Sequence, residues 1–289
     1  MRRRRRRAAT DISRAQRDRL AYRRRRVWRA RLISTLSTVA FIAVAWLVVV
    51  NSPGWSRVRE SFLDLSVAKD SLPAVLDGFW LNLRMLALAA VVIPVLGLGI
   101  AVLKTLRDPV YAPLRLLATA YTDLFRGIPL IILLYLIGFG VPGLRLQGVP
   151  TSPFVLGAVA LVLTYSAYVA EVFRAGIESV HPSQRMAARS LGLTYGQTTR
   201  QVVLPQAVRR VVPPLLNDLV ALQKDVGLIS IIGAIDAVRA AQIETARAAD
   251  FTPYMVAGLL FVLLAVPTVR LTDWVTARAT RRQQGVSAL

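Results

Sequence analysis

Cysteine is absent from the 289-residue sequence, which excludes disulfide frameworks and thiolate metal sites. Histidine occurs once, at His181, and a single imidazole cannot build a metal centre by itself. Lysine is scarce, and none of Lys69, Lys104 and Lys224 follows a glycine as the phosphate-binding lysine of a P-loop does. No catalytic triad is recognisable. We therefore expect a protein that is not an enzyme and that holds no metal or cofactor of its own.

Acidic residues are also few, at 16 against 37 basic ones, whereas 55% of the residues are hydrophobic. The apolar residues fall in long blocks and not in the short periodic stripes of a soluble core. Each block supplies the roughly 20 residues that a helix needs to cross about 30 Å of hydrocarbon. The six blocks are residues 32–50, 79–103, 116–141, 153–173, 213–235 and 252–271. The sequence predicts an all-α polytopic membrane protein.

The basic residues are distributed unevenly between the two sides that six spans would define. With a cytoplasmic amino terminus, 29 of them lie on the cytoplasmic side and 6 on the opposite side, while Arg84 and Lys224 fall inside spans. Loops rich in lysine and arginine stay in the cytoplasm. Both termini are therefore predicted to be cytoplasmic.

Residues 1–31 concentrate 15 basic residues with only 2 acidic ones. We expect an unstructured cytoplasmic tail that sets the topology and attracts anionic lipid. Nucleic acid would suit such charge too, but no interleaved aromatic platform accompanies it, so no nucleic-acid partner is expected. The apolar block that follows lacks a small-residue cleavage site, and we therefore interpret residues 32–50 as a span and not as a cleaved signal peptide.

The stretch HPSQRMAARSLGLTYGQTTRQVVLPQAVRR lies between the fourth and fifth blocks and has no continuous apolar run. Pro182 suits the first position of a helix, and Gly192 suits the left-handed residue at its end. Thr194 and Gln197 have the spacing of a capping box. This predicts a second short helix, which Pro205 would stop.

Two short helices joined by a glycine turn also resemble a DNA-binding helix-turn-helix. The loop of about 39 residues is too short to bury the additional core helix of such a module, and Pro205 would truncate the recognition helix. A membrane-anchored DNA-binding regulator is therefore kept only as a rival hypothesis. A secondary transporter driven by an ion gradient is a second rival.

The same loop resembles the Glu-Ala-Ala loop of permease subunits of ABC importers, whose pattern continues with three residues, Gly, nine residues and Ile-x-Leu-Pro. The pattern falls on Met186, Ala187, Ala188, Gly192, Val202, Leu204 and Pro205, and all of these except Val202 would be the ATPase-coupling residues. Further stretches similar to the polar amino acid subfamily are FRGIPL (125–130), YVAEVFRAGI (168–177), LPQAVRRVVPPLLND (204–218) and LQKDVGLISIIG (222–233). The chain departs from the pattern at Met186, where a flexible apolar side chain replaces the family's glutamate.

This resemblance implies a five-span permease core plus one extra amino-terminal transmembrane helix. The implied segments are a basic tail (1–31), the extra helix (32–50), an extracytoplasmic segment (51–74), the permease domain (75–275) with its cytoplasmic coupling loop (174–212), and a carboxyl-terminal tail (276–289). The chain would form the pathway for a polar amino acid across a bacterial inner membrane and couple to an ATPase through residues 181–205. The implied partners are that ATPase subunit, which binds the ATP, an extracytoplasmic solute-binding protein, a second permease subunit and membrane lipid.

Polar residues inside spans are candidates for the pathway, because each is unfavourable in lipid. The candidates are Tyr165, Tyr168 and Glu171 on the fourth span and Asn217, Asp218, Lys224 and Asp225, which share one stripe of the fifth. An internal ion-pair network of Lys224 with Asp225 or Glu171 would explain the same pattern. Tyrosines at helical spacing are consistent both with packing between helices and with contact to a ligand.

The third span contains Arg126, Gly127 and Pro129 in close succession. Proline removes an internal hydrogen bond of a helix, so the span is predicted to bend there. A hinge and a plain interfacial anchor are both consistent with the pattern.

Overall fold

A computed structural model describes residues 14–106 and 108–286 of the chain. The described residues contain helices and no β-strand, as the sequence predicts. Residues 1–13 of the predicted basic tail and residues 287–289 of the predicted carboxyl-terminal tail lie outside the described residues. The chain divides into two compact units, and the boundary along the sequence lies between Glu60 and Ser61.

The first unit is dominated by one long helix. Helix α1 covers Arg14–Val50, and its 37 residues extend over about 55 Å, well beyond the hydrocarbon thickness. The prediction of an unstructured tail is therefore wrong from Arg14 onward. Arginine, alanine and leucine are good helix formers, and the apolar part of the same helix supplies the nucleus that an isolated helix lacks.

Helix α2 (Trp55–Phe62) crosses the boundary between the units, and the helices after it belong to the second unit. They are α3 (Leu65–Thr105), α4 (Ala112–Gly127), α5 (Leu130–Tyr135), α6 (Pro153–Glu178), α7 (Pro182–Ser190), α8 (Tyr195–Thr198), α9 (Leu204–Asp225), α10 (Ala237–Ala248) and α11 (Thr252–Val286). Shorter helical turns lie at Pro109–Tyr111, Leu136–Gly140, Val141–Gly143, Thr199–Val203 and Val226–Ile232. Helix α3 starts inside the segment 51–74 that was expected to be extracytoplasmic.

By length and composition, four helical stretches of the described chain are able to cross a membrane, or six if each of two bent pairs is a single span. The bent pairs are Pro109–Gly127 with Leu130–Gly143, at 101°, and Gly196–Ile232 with Ala237–Ala248, at 54°. The third predicted span, 116–141, is thus broken and not a straight helix. The count of six spans stays a prediction.

The sharper of the two bends falls between Gly127 and Pro129, where the sequence predicts one. Pro129 has no N–H with which to continue the hydrogen-bond ladder of α4, so a new helix begins after it. The guanidinium of Arg126 lies over the Tyr168 ring, 5.7 Å from its centroid. The bend is therefore anchored to α6.

Pro205 does not end the second loop helix, contrary to the sequence prediction. It is the second residue of α9, and the π-helical turn Thr199–Val203 joins α8 to α9 with helical backbone angles at both junctions. A π turn shifts the hydrogen-bond register by one residue, which accommodates the missing N–H and the ring of a proline. The loop therefore leads into the next span without a break.

The core of the second unit lies where α3, α6 and the end of α9 meet α5. Met85, Leu134, Leu161 and Ile229 are fully buried there. Lipid tails are as apolar as these side chains, so close packing, and not transfer from water, holds such helices together. Leu88 and Val92 of α3 lie beside the first half of α6, and Lys104 lies beside Glu171 further along it, so the two helices run in the same direction.

Candidate functional site

The loop between α6 and α9 has a backbone that is fixed by local hydrogen bonds. His181 caps α7 by accepting the Ser183 N–H at 3.2 Å. Gly192 has a φ of +85° and forms the left-handed turn after α7, as predicted. The N–H of Thr194 donates to Gln197 Oε1 at 2.9 Å, and the N–H of Gln197 donates to Thr194 Oγ1 at 3.3 Å. This reciprocal pair confirms the predicted capping box.

The loop is also fixed to the two spans that flank it. Val180, Val203 and Ala207 form a small buried cluster where the end of α6 meets the start of α9. Arg185 of α7 donates to the Ile177 carbonyl of α6 at 2.6 Å. A displacement of the loop would therefore move the ends of both α6 and α9.

The outward surface of the loop carries exposed apolar residues among polar ones. The predicted coupling residues that are exposed there are Met186, Ala187, Gly192, Leu204 and Pro205. Met186 is 62% exposed and Leu191 is 84% exposed, whereas Ala188 is buried and packs inward. Leu191 was not singled out by the sequence reasoning, although its position before the glycine turn is a usable signal. Large apolar side chains that a fixed backbone holds exposed suit a protein-docking surface.

Part of the predicted pathway comes together between α6 and α9. Tyr165 donates its hydroxyl hydrogen to Asp225 Oδ2 at 2.7 Å, and its ring centroid lies 6.4 Å from that of Tyr168. Asp218 lies two turns before Asp225 on the same face of α9. Its Oδ2 is buried and has no hydrogen-bond partner among the described residues.

Asn217 and Lys224 are exposed and form no side-chain hydrogen bond in the part of the chain that the structure describes. The alternative in which Lys224 pairs with Asp225 or Glu171 is wrong, since no described carboxylate lies within 4.0 Å of its Nζ. An exposed polar stripe on a membrane-spanning helix must face water or another protein.

Glu171 belongs to a different cluster, which the sequence reasoning missed. It forms ion pairs with Lys104 of α3 and with Arg174 one turn further along α6, the latter at 2.7 Å. Lys104 also donates to Thr122 Oγ1 of α4 at 2.8 Å, and Arg174 pairs with Glu178 at 2.6 Å. The Lys104 and Glu171 side chains are only 9% and 16% exposed. The cluster ties three helices together close to the loop.

A second polar cluster missed by the sequence reasoning lies towards the other end of α3. Asn82 is fully buried, and its Nδ2 donates to the Val226 carbonyl at 3.1 Å and to Asp236 Oδ2 at 3.0 Å. Its Oδ1 accepts the Ala237 N–H at 3.0 Å. Asp236 in turn caps α10 by accepting the Arg239 N–H at 2.9 Å. The break between α9 and α10 is therefore held on α3.

Comparison with known proteins shows what kind of molecule carries this loop. Residues 110–281, more than half of the chain, match the family described as "Binding-protein-dependent transport system inner membrane component". The chain belongs to this permease family. The permease is therefore a multi-pass inner-membrane protein and a non-catalytic subunit of an ABC importer. Its family implies an ATPase partner and a substrate-binding protein.

Individual relatives agree with this assignment. The permease is 36% identical over 208 residues to a probable glutamine ABC transporter permease of Bacillus subtilis. The matched region covers 71% of the chain and 93% of the relative. It is 33% identical over 205 residues to the arginine transport system permease of the same organism, and the match covers 71% of the chain and 91% of that relative. It is 34% identical over 206 residues to the glutamate transport system permease of Corynebacterium glutamicum, and the match covers 68% of the chain and 89% of that relative.

Solved structures show the same fold. The crystal structure of an amino acid ABC transporter with histidines superimposes with a TM-score of 0.68 at 32% identity, covering 75% of the chain and 99% of that one. An inward-facing methionine ABC transporter gives a TM-score of 0.55 at 23% identity, which supports the fold alone. These similarities support neither a DNA-binding regulator nor a secondary transporter.

Proposed function

We propose that the permease carries a polar amino acid into the cell and that its 181–205 loop couples this transport to ATP hydrolysis. The loop geometry carries the proposal. A capped pair of helices with exposed Met186 and Leu191 forms a docking surface, and its buried side fixes it to α6 and α9. The permease itself holds no cofactor in this proposal, because the ATP is bound by the separate ATPase subunit.

The attachment of the loop suggests how the coupling works. When the ATPase subunits close, the docked loop moves and carries with it the end of α6 and the start of α9. These two helices also carry Tyr165 and Asp225, whose hydrogen bond links them within the membrane. A movement of the loop thus changes the spacing of the helices that line the pathway. Alternating access then follows from two arrangements of α6 and α9.

The pathway in this proposal lies beside the polar face of α9. Asp218 and Asp225 contribute carboxylates, Tyr165 and Tyr168 contribute hydroxyls, and Lys224 contributes a cation that no described carboxylate neutralises. Both signs of charge suit a zwitterionic substrate. The similarity to glutamine, arginine and glutamate permeases supports an amino acid as the substrate class.

The exposed face of α9 also supports a second permease subunit, identical or paralogous, across the pathway. The 29 to 6 distribution of basic residues supports cytoplasmic termini and a cytoplasmic loop. With this orientation, an extracytoplasmic solute-binding protein delivers substrate at the face opposite the ATPase.

The proposal is tested by uptake of radiolabelled amino acids into vesicles that contain the permease, its ATPase and the cognate solute-binding protein. Leu191→Asp places a charge on the docking surface, so we expect it to lower both uptake and co-purification of the ATPase. Asp225→Asn alters the pathway alone, so we expect it to lower uptake while the ATPase still co-purifies. Uptake that persists with an inactive ATPase, but collapses when ion gradients are dissipated, would overturn the proposal.

A further inference from the structure

Arg84 is a cation within the apolar part of α3. Trp80, Arg84, Leu88 and Val92 follow one another at intervals of four residues, so they form one stripe along the helix. Trp80 is 60% exposed, Leu88 is 43% exposed, and Arg84 is exposed between them. Among the described residues, no carboxylate lies within 4.0 Å of the Arg84 guanidinium. Its charge is therefore not neutralised by that part of the chain.

An apolar groove begins one turn further along the same stripe. Leu88 and Val92 form one wall, and six apolar residues between Phe154 and Leu163 of α6 form the other. The groove has a volume of about 430 Å³, within the range of small-molecule sites. It opens on the outer surface of the second unit, since Val155 is 39% exposed and Val159 is 42% exposed.

The order of residues along the stripe sets their depth in the bilayer. Tryptophan is enriched at the membrane interface, which places Trp80 at the level of the headgroups. Arg84 lies about 6 Å deeper, a distance that a long side chain covers when it extends back towards the interface. Leu88 and Val92 lie deeper still, at the level of the acyl chains. The cation and the groove are therefore arranged as the headgroup and tail of a phospholipid are.

We propose that this groove binds one phospholipid with an anionic headgroup, in the leaflet whose headgroups lie at the level of Trp80. One acyl chain lies between the two helices, and the phosphate contacts Arg84. An arginine without a counterion is unfavourable beside hydrocarbon, and a guanidinium binds phosphate oxygens with two parallel hydrogen bonds. A zwitterionic headgroup carries its own cation, which repels Arg84. The site therefore selects a net negative lipid such as phosphatidylglycerol.

The absence of cysteine from the chain makes the test direct, because one introduced cysteine takes a fluorophore without background. Ala158→Cys places the fluorophore in the groove of the full-length permease, which is then reconstituted in vesicles. Phosphatidylglycerol or phosphatidylcholine with brominated acyl chains is added at equal mole fraction, since bromine quenches nearby fluorophores. One charge near an anionic headgroup corresponds to a preference of about fivefold, and we expect quenching to favour phosphatidylglycerol by this factor.

Matched variants identify the source of the preference. Arg84→Gln should remove it, Arg84→Lys should retain most of it, and Arg270→Gln, an exposed arginine of α11, should leave it unchanged. A fluorophore at Leu259→Cys, which is exposed on α11 outside the groove, reports lipid without selection. Equal quenching by both lipids at Ala158→Cys would overturn the proposal. Quenching at Leu259→Cys but by neither lipid at Ala158→Cys would also overturn it, because the groove would then be covered by protein.

Discussion

Asn82 and Asp236 are 154 residues apart in sequence, yet the Nδ2 of Asn82 donates a hydrogen bond to the Asp236 carboxylate at 3.0 Å. Both side chains are fully buried. The same amide also bonds the Val226 carbonyl and the Ala237 N–H, on the two sides of the break between α9 and α10. One side chain on α3 thus satisfies the backbone groups that a broken helix leaves without partners.

Replacement of Asn82 by leucine keeps a similar volume but removes all of these hydrogen bonds. A buried carboxylate, a carbonyl and an N–H would lose their partner, at about 1–3 kcal/mol for each group. We therefore expect Asn82→Leu to lower the free energy of unfolding by roughly 3 kcal/mol or more. The thermal unfolding midpoint of the purified permease in detergent measures this loss. Asn217→Leu changes an exposed asparagine and should shift the midpoint by no more than about 2 °C.

Gly78 lies against the backbone that Asn82 bonds, and it leaves no room for a side chain. A Cβ at this position would be 2.4 Å from the Asp236 carbonyl carbon and 2.7 Å from the Ala237 nitrogen. Because backbone atoms cannot move aside cheaply, we expect Gly78→Ala to destabilise the permease by about 2 kcal/mol or more.

Gly99 lies on the same helix and provides the matched control for this substitution. In the described part of the chain, no atom outside the neighbouring helical turns would lie within 4 Å of a Cβ there. Alanine has the higher helix propensity, so Gly99→Ala should leave stability unchanged or raise it by up to about 1 kcal/mol. Equal unfolding midpoints for Gly78→Ala and Gly99→Ala would mean that the close approach of α3 to Asp236 does not contribute to stability.

The difference between the loop and these polar clusters explains what the sequence could predict. Gly192, Thr194 and Gln197 act on backbone groups within a few residues, so their spacing alone predicts the turn and the capping box. Asn82 and Asp236 meet only because the fold brings α3 to the start of α10. The spacing of residues along the sequence does not predict a contact between positions so far apart.

Pro205 and Lys224 illustrate two other limits of the sequence reasoning. The local rule that proline ends a helix is correct for a regular α-helix, but the π turn before Pro205 changes the register on which that rule depends. One alternative paired Lys224 with Asp225 or Glu171. The carboxylate of Glu171 instead has a closer cation on α3, Lys104, which sequence distance conceals.

The buried ion pair of Lys104 and Glu171 should lose more stability when one partner is replaced than when both are replaced. Removing only the carboxylate leaves Lys104 charged and 91% buried, and we expect Glu171→Leu to destabilise by about 3 kcal/mol or more. Replacing both partners by apolar side chains removes that isolated charge. The double variant Lys104→Met/Glu171→Leu should therefore be more stable than Glu171→Leu alone, by roughly 1 kcal/mol or more in thermal unfolding.

The pair Glu244 and Arg247 on α10 is the control for this comparison. Its arginine side chain is 71% exposed and its glutamate side chain is 19% exposed, so solvent screens this interaction more than that of Lys104 with Glu171. Glu244→Leu, Arg247→Met and their combination should each stay within about 1 kcal/mol of the unaltered permease. A double variant of Lys104 and Glu171 that is as unstable as Glu171→Leu would contradict the proposed role of the isolated charge.

Two substitutions in the loop distinguish a docking surface from a merely solvated one. Met186 occupies the position where the related pattern has glutamate, and it is 62% exposed, so Met186→Glu should leave ATP-driven uptake largely intact. Gly192→Asp should abolish uptake. Among the described residues, no atom beyond its chain neighbours would lie within 4 Å of a Cβ at Gly192, so the new carboxylate would extend into open space at the proposed docking surface.

Gly192→Asn separates the effect of this charge from that of the backbone. Asparagine and aspartate both tolerate the φ of +85° better than most residues, so the loop should keep its shape in both variants. If the charge is responsible, Gly192→Asn should retain more uptake and more co-purifying ATPase than Gly192→Asp. If the backbone is responsible, both should fail together, and Gly192→Val should be worse still, because a β-branched residue is strained at positive φ. Uptake that is unaffected by Gly192→Asp and by Met186→Glu alike would mean that the loop does not couple the permease to the ATPase.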